Sequence, residues 1–182
     1  QERHPQVHFH ISSGDTADVT EKLDHGLIDF GLLFDPIDTG RYNACSLPAA
    51  DAWGLLLRRD HPLAEKPFLT AGDVAGLPLI LSRRVKDGST LKDWLGARFD
   101  ALNIVATYSL LYNASLMVED GLGAALCLDG ILNTAGDGPL CFRPLHPAVH
   151  AGMSVVWKKH PVFSRAAEAF LELLRQTCET EG

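Results

Sequence analysis

The fold class is clearest in one stretch of the sequence, LDHGLIDFGLLF at residues 23–34. Its first glycine, Gly26, separates an amphipathic segment from a run of mostly apolar residues, 27–34. Asp15 can cap a helix that runs to about His25, and a glycine is typical of the position just after a helix. The apolar run then predicts a strand. The stretch therefore predicts a helix that leads directly into a strand.

A second strand is expected on the other side of this helix, because residues 7–11 alternate between apolar and polar side chains. Strand, helix and strand form a right-handed βαβ unit, so we expect the two strands to be parallel. Asp29 falls in the middle of the strand predicted at 27–34. A buried carboxylate needs a partner, so Asp29 is either a structural residue bonded to neighbouring backbone, which we favour, or a functional one.

Strands and helices continue to alternate along the rest of the chain. Further strands are predicted at residues 52–57, 77–82, 104–108, 124–128 and 153–157. Helices are predicted from about Thr90, from Asn113 and from Ser164, with the asparagine and the last serine as N-caps. This alternation is typical of α/β proteins, and it favours two α/β lobes between which the chain crosses twice.

Composition and charge limit the function classes. The 182 residues include 16 Lys and Arg against 23 Asp and Glu, which gives a net charge of −7, and 46% are hydrophobic. This is typical of a soluble globular protein. The net acidity argues against direct contact with nucleic acid, which needs clustered Lys and Arg. No apolar run approaches the ~18 residues of a membrane helix. Because the chain begins at Gln1, we expect a processed chain or a fragment.

The cysteines and the catalytic motifs indicate a reduced protein without enzyme activity. Cys45, Cys127, Cys141 and Cys178 form no CxxC pair and have no histidine at metal-ligand spacing, so we predict reduced thiols, no metal and a cytoplasmic location. The sequence has no Gly-x-Ser-x-Gly motif. Its glycines at 121 and 123 lack the third glycine of a dinucleotide loop, and a helix end followed by a close-packed strand explains both. We therefore predict no cofactor and no catalysis.

Ligand-binding candidates lie where predicted strands lead into helices, because helix N-termini offer N–H groups and a positive dipole end. Three junctions carry suitable hydroxyl, amide or guanidinium groups, namely 12–16, 82–84 with 89–90, and 112–115. Arg83 or Arg84 can pair with a carboxylate. The alternative is that the Ser, Thr, Asn and Asp residues of these junctions are helix caps only.

Several short motifs follow one another over nearly the whole chain. In order they are HPQV at 4–7, Ser13-Gly14, LDHGLIDFGLL at 23–33, DHPLA at 60–64, the segment from Leu69 to Ile80, VEDGLG at 118–123 and AEAFL at 167–171. Each motif alone is weak, but the order and the spacing are specific. Together they resemble the effector-binding domains of LysR-type transcriptional regulators, a bacterial family.

The resemblance implies an α/β fold with two Rossmann-like lobes, similar to type 2 periplasmic binding proteins, and a cleft between the lobes. Lobe I is expected to comprise residues 1–67 and 148–182, and lobe II residues 68–147, with crossovers near Phe68 and Pro147. The chain opens at the end of what would be a helix of lobe I. We therefore expect the first βα unit of that lobe to be missing. The family's helix-turn-helix and linker helix are also absent from this sequence.

The resemblance also implies a function. A small-molecule effector, expected to be anionic, binds in the cleft of a homodimer or homotetramer and changes how an N-terminal helix-turn-helix outside this chain meets DNA. The expected effector contacts are Ser13, Gly14, Asp15, Ser82, Arg83, Arg84, Asn113 and Ala114. One alternative is a periplasmic solute-binding protein of the same architecture. Another is an enzyme that uses Asp29 and a histidine.

Overall fold

The computed structural model describes residues 4–83 and 89–180. These residues form two compact units. Unit 1 combines the residues up to Ala50 with those from Gly152 onward, and unit 2 is Asp51–Ala151. Among the helices of the described residues, none is long and apolar enough to cross a membrane.

The boundaries of the two units differ from the lobes expected from the sequence, which were 1–67 with 148–182, and 68–147. The chain passes from one unit to the other at Ala50/Asp51 and at Ala151/Gly152. The first passage comes earlier because β2, Tyr42–Arg58, is one long strand whose second half pairs with strands of unit 2. Residues 51–67 therefore belong to unit 2.

Unit 2 is built on a sheet whose strand β3, Pro78–Ser82, lies between two parallel neighbours. These neighbours are β4, Asn103–Tyr108, and β5, Ala124–Leu128. On its other side β5 pairs with β2, and β2 also pairs with β6, Leu140–Pro144, both in antiparallel register. The strands predicted at 77–82, 104–108 and 124–128 are thereby confirmed.

Helices cover both faces of this sheet. They are α2, Ala71–Ala75, α3, Ser89–Leu95, α4, Leu111–Glu119, and the 3-10 helices Pro62–Glu65 and Gly96–Ala101. Leu79 and Leu81 pack in one core cluster with residues of α2 and α3, whereas Ile80 packs in a second cluster with residues of α4. Successive side chains of a strand point to opposite faces, so a sheet buried on both faces needs continuous apolar runs.

The two glycines between α4 and β5 have separate structural roles. Gly121 has a φ of +83°, the left-handed conformation that ends a helix. A Cβ atom on Gly123 would lie 2.3 Å from the carbonyl oxygen of Pro78, so only glycine fits beside β3. The prediction of a helix end followed by a close-packed strand is confirmed.

The described residues of unit 1 form two helices, one whole strand and parts of two others. The helices are α1, Thr16–Asp24, and α5, Arg165–Thr180. The strands are β1, Gly31–Phe34, the first half of β2, and the part of β7, His150–Lys158, that begins at Gly152. The strand order is β1–β7–β2. Both helices begin as predicted. Asp15 accepts a hydrogen bond from the Asp18 N–H at 3.0 Å, and the Ser164 hydroxyl accepts one from the Ala167 N–H at 3.2 Å.

The parallel βαβ unit predicted around α1 is wrong. Residues 7–11 form no strand, and Phe9 and Ile11 are exposed. β1 begins only at Gly31, and it pairs with β7 in antiparallel register. The alternation of residues 7–11 describes side-chain polarity, but a strand also needs a neighbour, and no described strand pairs with this segment. Asp29 precedes β1 and is exposed, so its interpretation as a buried carboxylate is also wrong.

Asn113 does not cap α4. The helix begins at Leu111, and the N-cap position is held by Leu110, which has an extended backbone and makes no side-chain capping bond. The buried face of the helix starts at Leu111 and continues with Ala114 and Val118, at the spacing of one helical stripe. This apolar register sets the start of the helix and overrides the capping preference of asparagine.

The four cysteines divide into two kinds. Cys127 and Cys141 are free and buried in unit 2, which confirms the prediction of reduced thiols in the core. Cys45 and Cys178 form a disulfide in unit 1, so the same prediction is wrong for them. Their 133-residue separation gives no local pattern from which the pairing could be inferred.

Candidate functional site

The carboxyl ends of β3, β4 and β5 meet at one edge of the unit 2 sheet, because the three strands are parallel neighbours. Ser82, the last residue of β3, is the register partner of Tyr108, the last residue of β4. The junction that follows β3 is thus brought beside the junction that leads from β4 into α4. We call this region the unit 2 edge, and it comprises residues 82–83, 108–113 and 129–130.

The side chains after β3 supply the positive charge of the unit 2 edge. Ser82 is half-buried and Arg83 is exposed. A guanidinium can donate two parallel hydrogen bonds to a carboxylate or phosphate, which fixes the orientation of the anion as well as its charge. Arg84 lies outside the described residues.

The N-terminus of α4 is the second feature of the unit 2 edge. Leu110 makes no side-chain hydrogen bond at the N-cap position, so the helix start has no side-chain cap. The Asn113 N–H donates to the Leu110 carbonyl oxygen at 3.1 Å, and the Asn113 side chain is exposed in the first turn. An uncapped helix start is favourable for an anion, because N–H groups and the helix dipole both point to it. An arginine in the neighbouring junction adds positive charge to the same edge.

Ala114 has a different position from the other predicted contacts. Its side chain is 0% exposed and packs with Leu56 and Ile80 in the core of unit 2. Ser115 is also buried, and its hydroxyl donates to the Tyr112 carbonyl oxygen at 2.7 Å. These two residues hold α4 against the sheet, and they orient the first turn of the helix.

Tyr108 and Asp129 belong to the unit 2 edge but were not singled out from the sequence. The Tyr108 hydroxyl donates to the Leu126 carbonyl oxygen at 2.9 Å, and burial raises the pKa of this phenol well above its usual range. Asp129 follows β5, is exposed, and accepts a hydrogen bond from the Gly130 N–H at 2.8 Å. The parallel order of the strands is the signal that could have placed both residues here.

In unit 1, the predicted contacts Ser13, Gly14 and Asp15 stand at the start of α1. Ser13 and Gly14 are exposed. The Asp15 carboxylate takes part in a capping box, since it accepts from the Asp18 N–H while Asp18 Oδ2 accepts from the Asp15 N–H at 3.1 Å. A capping role for Asp15 is therefore established, and its carboxylate stabilises the helix.

Thr16, the first residue of α1, carries an orphan polar atom. Its Oγ1 is buried and has no hydrogen-bond partner among the described residues. A buried hydroxyl without a partner is unfavourable by about 1–3 kcal/mol, and a polar ligand atom or a water molecule can satisfy it. Thr16 belongs to the junction 12–16, but residue type alone did not distinguish it from the neighbouring capping residues.

A hydroxyl and carboxylate cluster lies at the carboxyl end of β1. The Ser154 hydroxyl, on a residue that is 1% exposed, donates to Asp35 Oδ1 at 2.9 Å and lies 3.3 Å from the Ser46 hydroxyl. The Asp35 N–H donates to the Gly152 carbonyl oxygen at 3.0 Å. The cluster connects β1, β2 and β7 within unit 1, and no sequence pattern indicated it.

No group of three His, Cys, Asp or Glu side chains within residues 4–83 and 89–180 is placed to hold a metal ion. His8 and His10 are both exposed. The polar side chains of the candidate junctions are hydroxyls, an amide, a carboxylate and the Arg83 guanidinium. Such groups bind polar organic ligands by hydrogen bonds and ion pairs.

Comparison with known protein families assigns the chain to one of them. Residues 1–179 match the model of the LysR substrate binding domain. The chain belongs to this family. As a LysR substrate-binding domain it has the α/β, type 2 periplasmic-binding-protein-like fold that the motif order implied.

The relatives of this LysR domain are transcriptional regulators. It is 27% identical over 161 residues to the Hca operon transcriptional activator HcaR of Escherichia coli K12, covering 86% of this chain and 54% of the relative. It is 26% identical over 175 residues to the uncharacterized HTH-type transcriptional regulator YfeR of Shigella flexneri, covering 95% of this chain and 56% of the relative. The chain therefore spans about half the length of the curated relatives it matches.

Solved structures confirm the fold of the LysR domain. The effector binding domain of QuiR in complex with shikimate superposes with a TM-score of 0.80 at 16% identity, over 98% of this chain and 85% of that one. The regulatory domain of CcmR from Synechocystis PCC6803 in complex with 2-PG superposes with a TM-score of 0.79 at 14% identity, over 98% of this chain and 86% of that one.

Proposed function

We propose that this domain senses an anionic small molecule and that binding changes how the full-length regulator meets DNA. The DNA-binding part is a helix-turn-helix outside this chain. The net charge of −7 supports a DNA-binding part separate from this domain, because an acidic domain repels the phosphate backbone of DNA. A regulator with this role works in the cytoplasm.

The observation that carries the proposal is the register of Ser82 with Tyr108. It brings Arg83, which follows Ser82 directly, beside the uncapped start of α4. A carboxylate or phosphate of the effector accepts hydrogen bonds from the guanidinium, while Ser82 and Asn113 bond its neutral polar groups. Arg84 and Ala114 are the remaining proposed contacts of this unit, and Ala114 acts through its backbone because its side chain is buried.

Unit 1 supplies a second set of proposed contacts, Ser13, Gly14 and Asp15. We add Thr16, since its buried Oγ1 has no partner among the described residues and needs one. The complexes of QuiR with shikimate and of CcmR with 2-PG support a small polar effector for this chain too. Shikimate is a hydroxylated carboxylate, and its two kinds of group match hydroxyl and guanidinium contacts.

A thermal-shift screen of the purified chain tests this function. We expect some hydroxylated carboxylates or phosphate monoesters to raise the unfolding midpoint, because a ligand that binds only the folded state stabilises it. Neutral polyols of similar size serve as the control and are expected to have no effect. A midpoint that responds to no anion in the set, or equally to the polyols, contradicts the proposal.

The proposed assembly is a homodimer or homotetramer that forms through β4 and α4. β4 is the last strand in the described sheet order. Exposed apolar side chains cluster on these two elements and their connection, namely Ile104, Val105, Leu110, Tyr112 and Leu116. An apolar patch next to a sheet edge favours association with a second copy.

Light scattering during size-exclusion chromatography tests this assembly. Leu116→Lys places a charge in the apolar patch and is expected to yield monomers. Val162→Lys, at a fully exposed position in unit 1, is the matched control and is expected to leave the assembly unchanged. A wild-type chain that is monomeric at high concentration contradicts the proposed interface.

We further propose that the domain has no catalytic activity. Its relatives are transcriptional regulators. The enzyme hypothesis depended on a buried Asp29, and that side chain is exposed. The relatives equally disfavour a periplasmic solute-binding protein.

A further inference from the structure

The disulfide of unit 1 lies in a more accessible environment than the free thiols of unit 2. Cys45 and Cys178 are both half-buried, whereas Cys127 and Cys141 are each 2% exposed. Burial raises the pKa of Cys127 to about 12, so its thiolate is scarce at neutral pH. We therefore expect small oxidants and reductants to react with Cys45 and Cys178 in preference to Cys127 and Cys141.

The position of Cys178 follows from the pattern of α5. The less exposed residues of this helix include Ala167, Leu171, Leu174 and Cys178, at the spacing of one helical stripe. Residues 175–177 before Cys178 are all exposed. The stripe therefore turns the last-turn cysteine to the same side as Ala167, where it meets Cys45 in the first half of β2.

The disulfide joins two parts of the chain that are far apart in sequence. Unit 1 consists of a segment that ends at Ala50 and one that starts at Gly152. The disulfide links these two segments, which all of unit 2 separates in the sequence. The same segments are also held together by the pairing of β1 with β7 and by the Asn43 side chain, which donates to the Lys158 carbonyl oxygen at 3.2 Å. We therefore expect unit 1 to remain folded when the disulfide is open.

We propose that Cys45 and Cys178 are a reversible oxidation site that reacts with hydroperoxides and thereby locks the last turn of α5 onto β2. The inference uses the proposed function in one respect, that a DNA-bound regulator works in a reducing compartment. Disulfides are rare in that compartment, and those that occur there are usually transient or redox-sensing. A half-buried disulfide without which unit 1 is expected to remain folded fits this class.

The chemistry balances with one hydroperoxide for each disulfide. One thiolate attacks the terminal oxygen, the O–O bond breaks, and the products are a sulfenic acid and an alcohol, or water when the oxidant is hydrogen peroxide. The second thiolate attacks the sulfenic sulfur, the S–S bond forms, and the hydroxyl leaves as water after protonation. For reopening, two equivalents of a small thiol such as glutathione attack in turn, which restores both protein thiols and yields the oxidised small disulfide.

Thiol mapping of the purified 182-residue chain tests the proposal. The reduced chain is treated with hydrogen peroxide, and a portion is then returned to reduced glutathione. Free thiols are alkylated, and the peptides are identified by mass spectrometry. We expect Cys45 and Cys178 to be joined after peroxide and alkylated again after glutathione. The proposal is overturned if Cys45 and Cys178 are still alkylated after peroxide treatment. It is also overturned if the disulfide persists in reduced glutathione.

Thermal unfolding supplies the second measurement and the control variants. Closing a loop of this length is expected to raise the midpoint of the oxidised chain by roughly 5 °C or more over the reduced chain. Cys45→Ser and Cys178→Ser are expected to fold like the reduced wild type and to lose this difference, whereas the control Cys141→Ala keeps it. An equal difference in the serine variants contradicts the assignment. Neither measurement uses DNA or an effector, so a failure here is distinct from a failure of the proposed function.

Discussion

Ser82 and Tyr108 are register partners in the parallel β3–β4 ladder, so the last residues of two neighbouring strands lie side by side. The Tyr108 hydroxyl also donates to the Leu126 carbonyl oxygen of β5, on the far side of β3. One half-buried tyrosine thus connects the outer two of the three parallel strands. The ladder and this hydrogen bond together hold the strand ends that lead to Arg83 and to α4.

Tyr108→Phe removes that hydrogen bond while it keeps the ring. We expect the free energy of unfolding to fall by about 1 kcal/mol, since one partly buried neutral hydrogen bond is lost. Urea unfolding followed by circular dichroism measures the change. Tyr112→Phe is the matched control, because Tyr112 is exposed. Equal effects of the two substitutions contradict the structural role of Tyr108.

Asp73 makes stability depend on pH at the start of α2. The Lys66 ammonium, 2.6 Å away, and the N–H and hydroxyl of Thr70 lower the pKa of the Asp73 carboxyl to about 2. A carboxyl whose pKa is lower in the folded chain stabilises it above the unfolded value of ~3.9. This stabilisation is lost as the pH falls from about 4 towards about 2.

Asp73→Asn is therefore expected to flatten the acid limb of the stability curve. It also weakens the capping box of Thr70 and Asp73, which corresponds to about 1 kcal/mol at neutral pH. Urea titrations between neutral pH and the acid limb measure both effects. Asp93→Asn, at an exposed position of α3, is the control. An acid limb as steep in Asp73→Asn as in the wild type contradicts this account.

Arg59 holds the loop between β5 and β6. Its guanidinium donates to the carbonyl oxygens of Thr134, Gly136, Gly138 and Leu140, at 3.3, 2.8, 2.8 and 3.0 Å. Arg59→Ala is expected to accelerate hydrogen exchange and proteolysis between residues 131 and 139, because these carbonyl groups lose their common donor. Arg98→Ala is the control with an exposed arginine. Unchanged exchange in this loop means that other contacts order it.

Thr16→Val separates a ligand contact from a structural one. The Thr16 hydroxyl has no partner among the described residues, so its replacement by a methyl group is expected to leave the unfolding midpoint the same or higher. An effector identified in the thermal-shift screen is expected to bind more weakly to the variant. Ser154→Ala is the comparison, since that hydroxyl is bonded to Asp35 and its loss lowers the midpoint. A large loss of stability in Thr16→Val contradicts the ligand role.

Local patterns in the sequence were sufficient for much of unit 2 and for the helix starts of unit 1. The continuous apolar runs of β3 and β5 predicted buried strands, because both faces of each strand are covered. Asp15 and Ser164 predicted helix starts through capping bonds that involve neighbouring residues only. The register of Ser82 with Tyr108 brings the ends of two predicted strands side by side, as the parallel order of β3 and β4 requires.

Features that depend on distant residues could not be predicted. Residues 7–11 alternate like a strand, but pairing depends on a neighbour that the pattern does not contain. Asn113 is a good capping residue, yet α4 starts earlier because Leu111 packs in the core cluster of Ile80 and Ala125, which belong to other elements. The Cys45–Cys178 bond and the bond between Ser154 and Asp35 join residues more than a hundred positions apart. Such contacts follow from the complete fold.

Calorimetric titration of Arg83→Ala tests the central claim most directly. The titrant is the anion that raises the unfolding midpoint most in the thermal-shift screen, and Arg98→Ala is titrated beside it. Loss of one charge-assisted hydrogen bond corresponds to about 1.5–3 kcal/mol, so we predict an affinity weaker by roughly 10- to 150-fold in Arg83→Ala. Arg98→Ala is predicted to bind like the wild type. Equal affinities for Arg83→Ala and the wild type would contradict the account, because the effector would then not be held by the unit 2 edge.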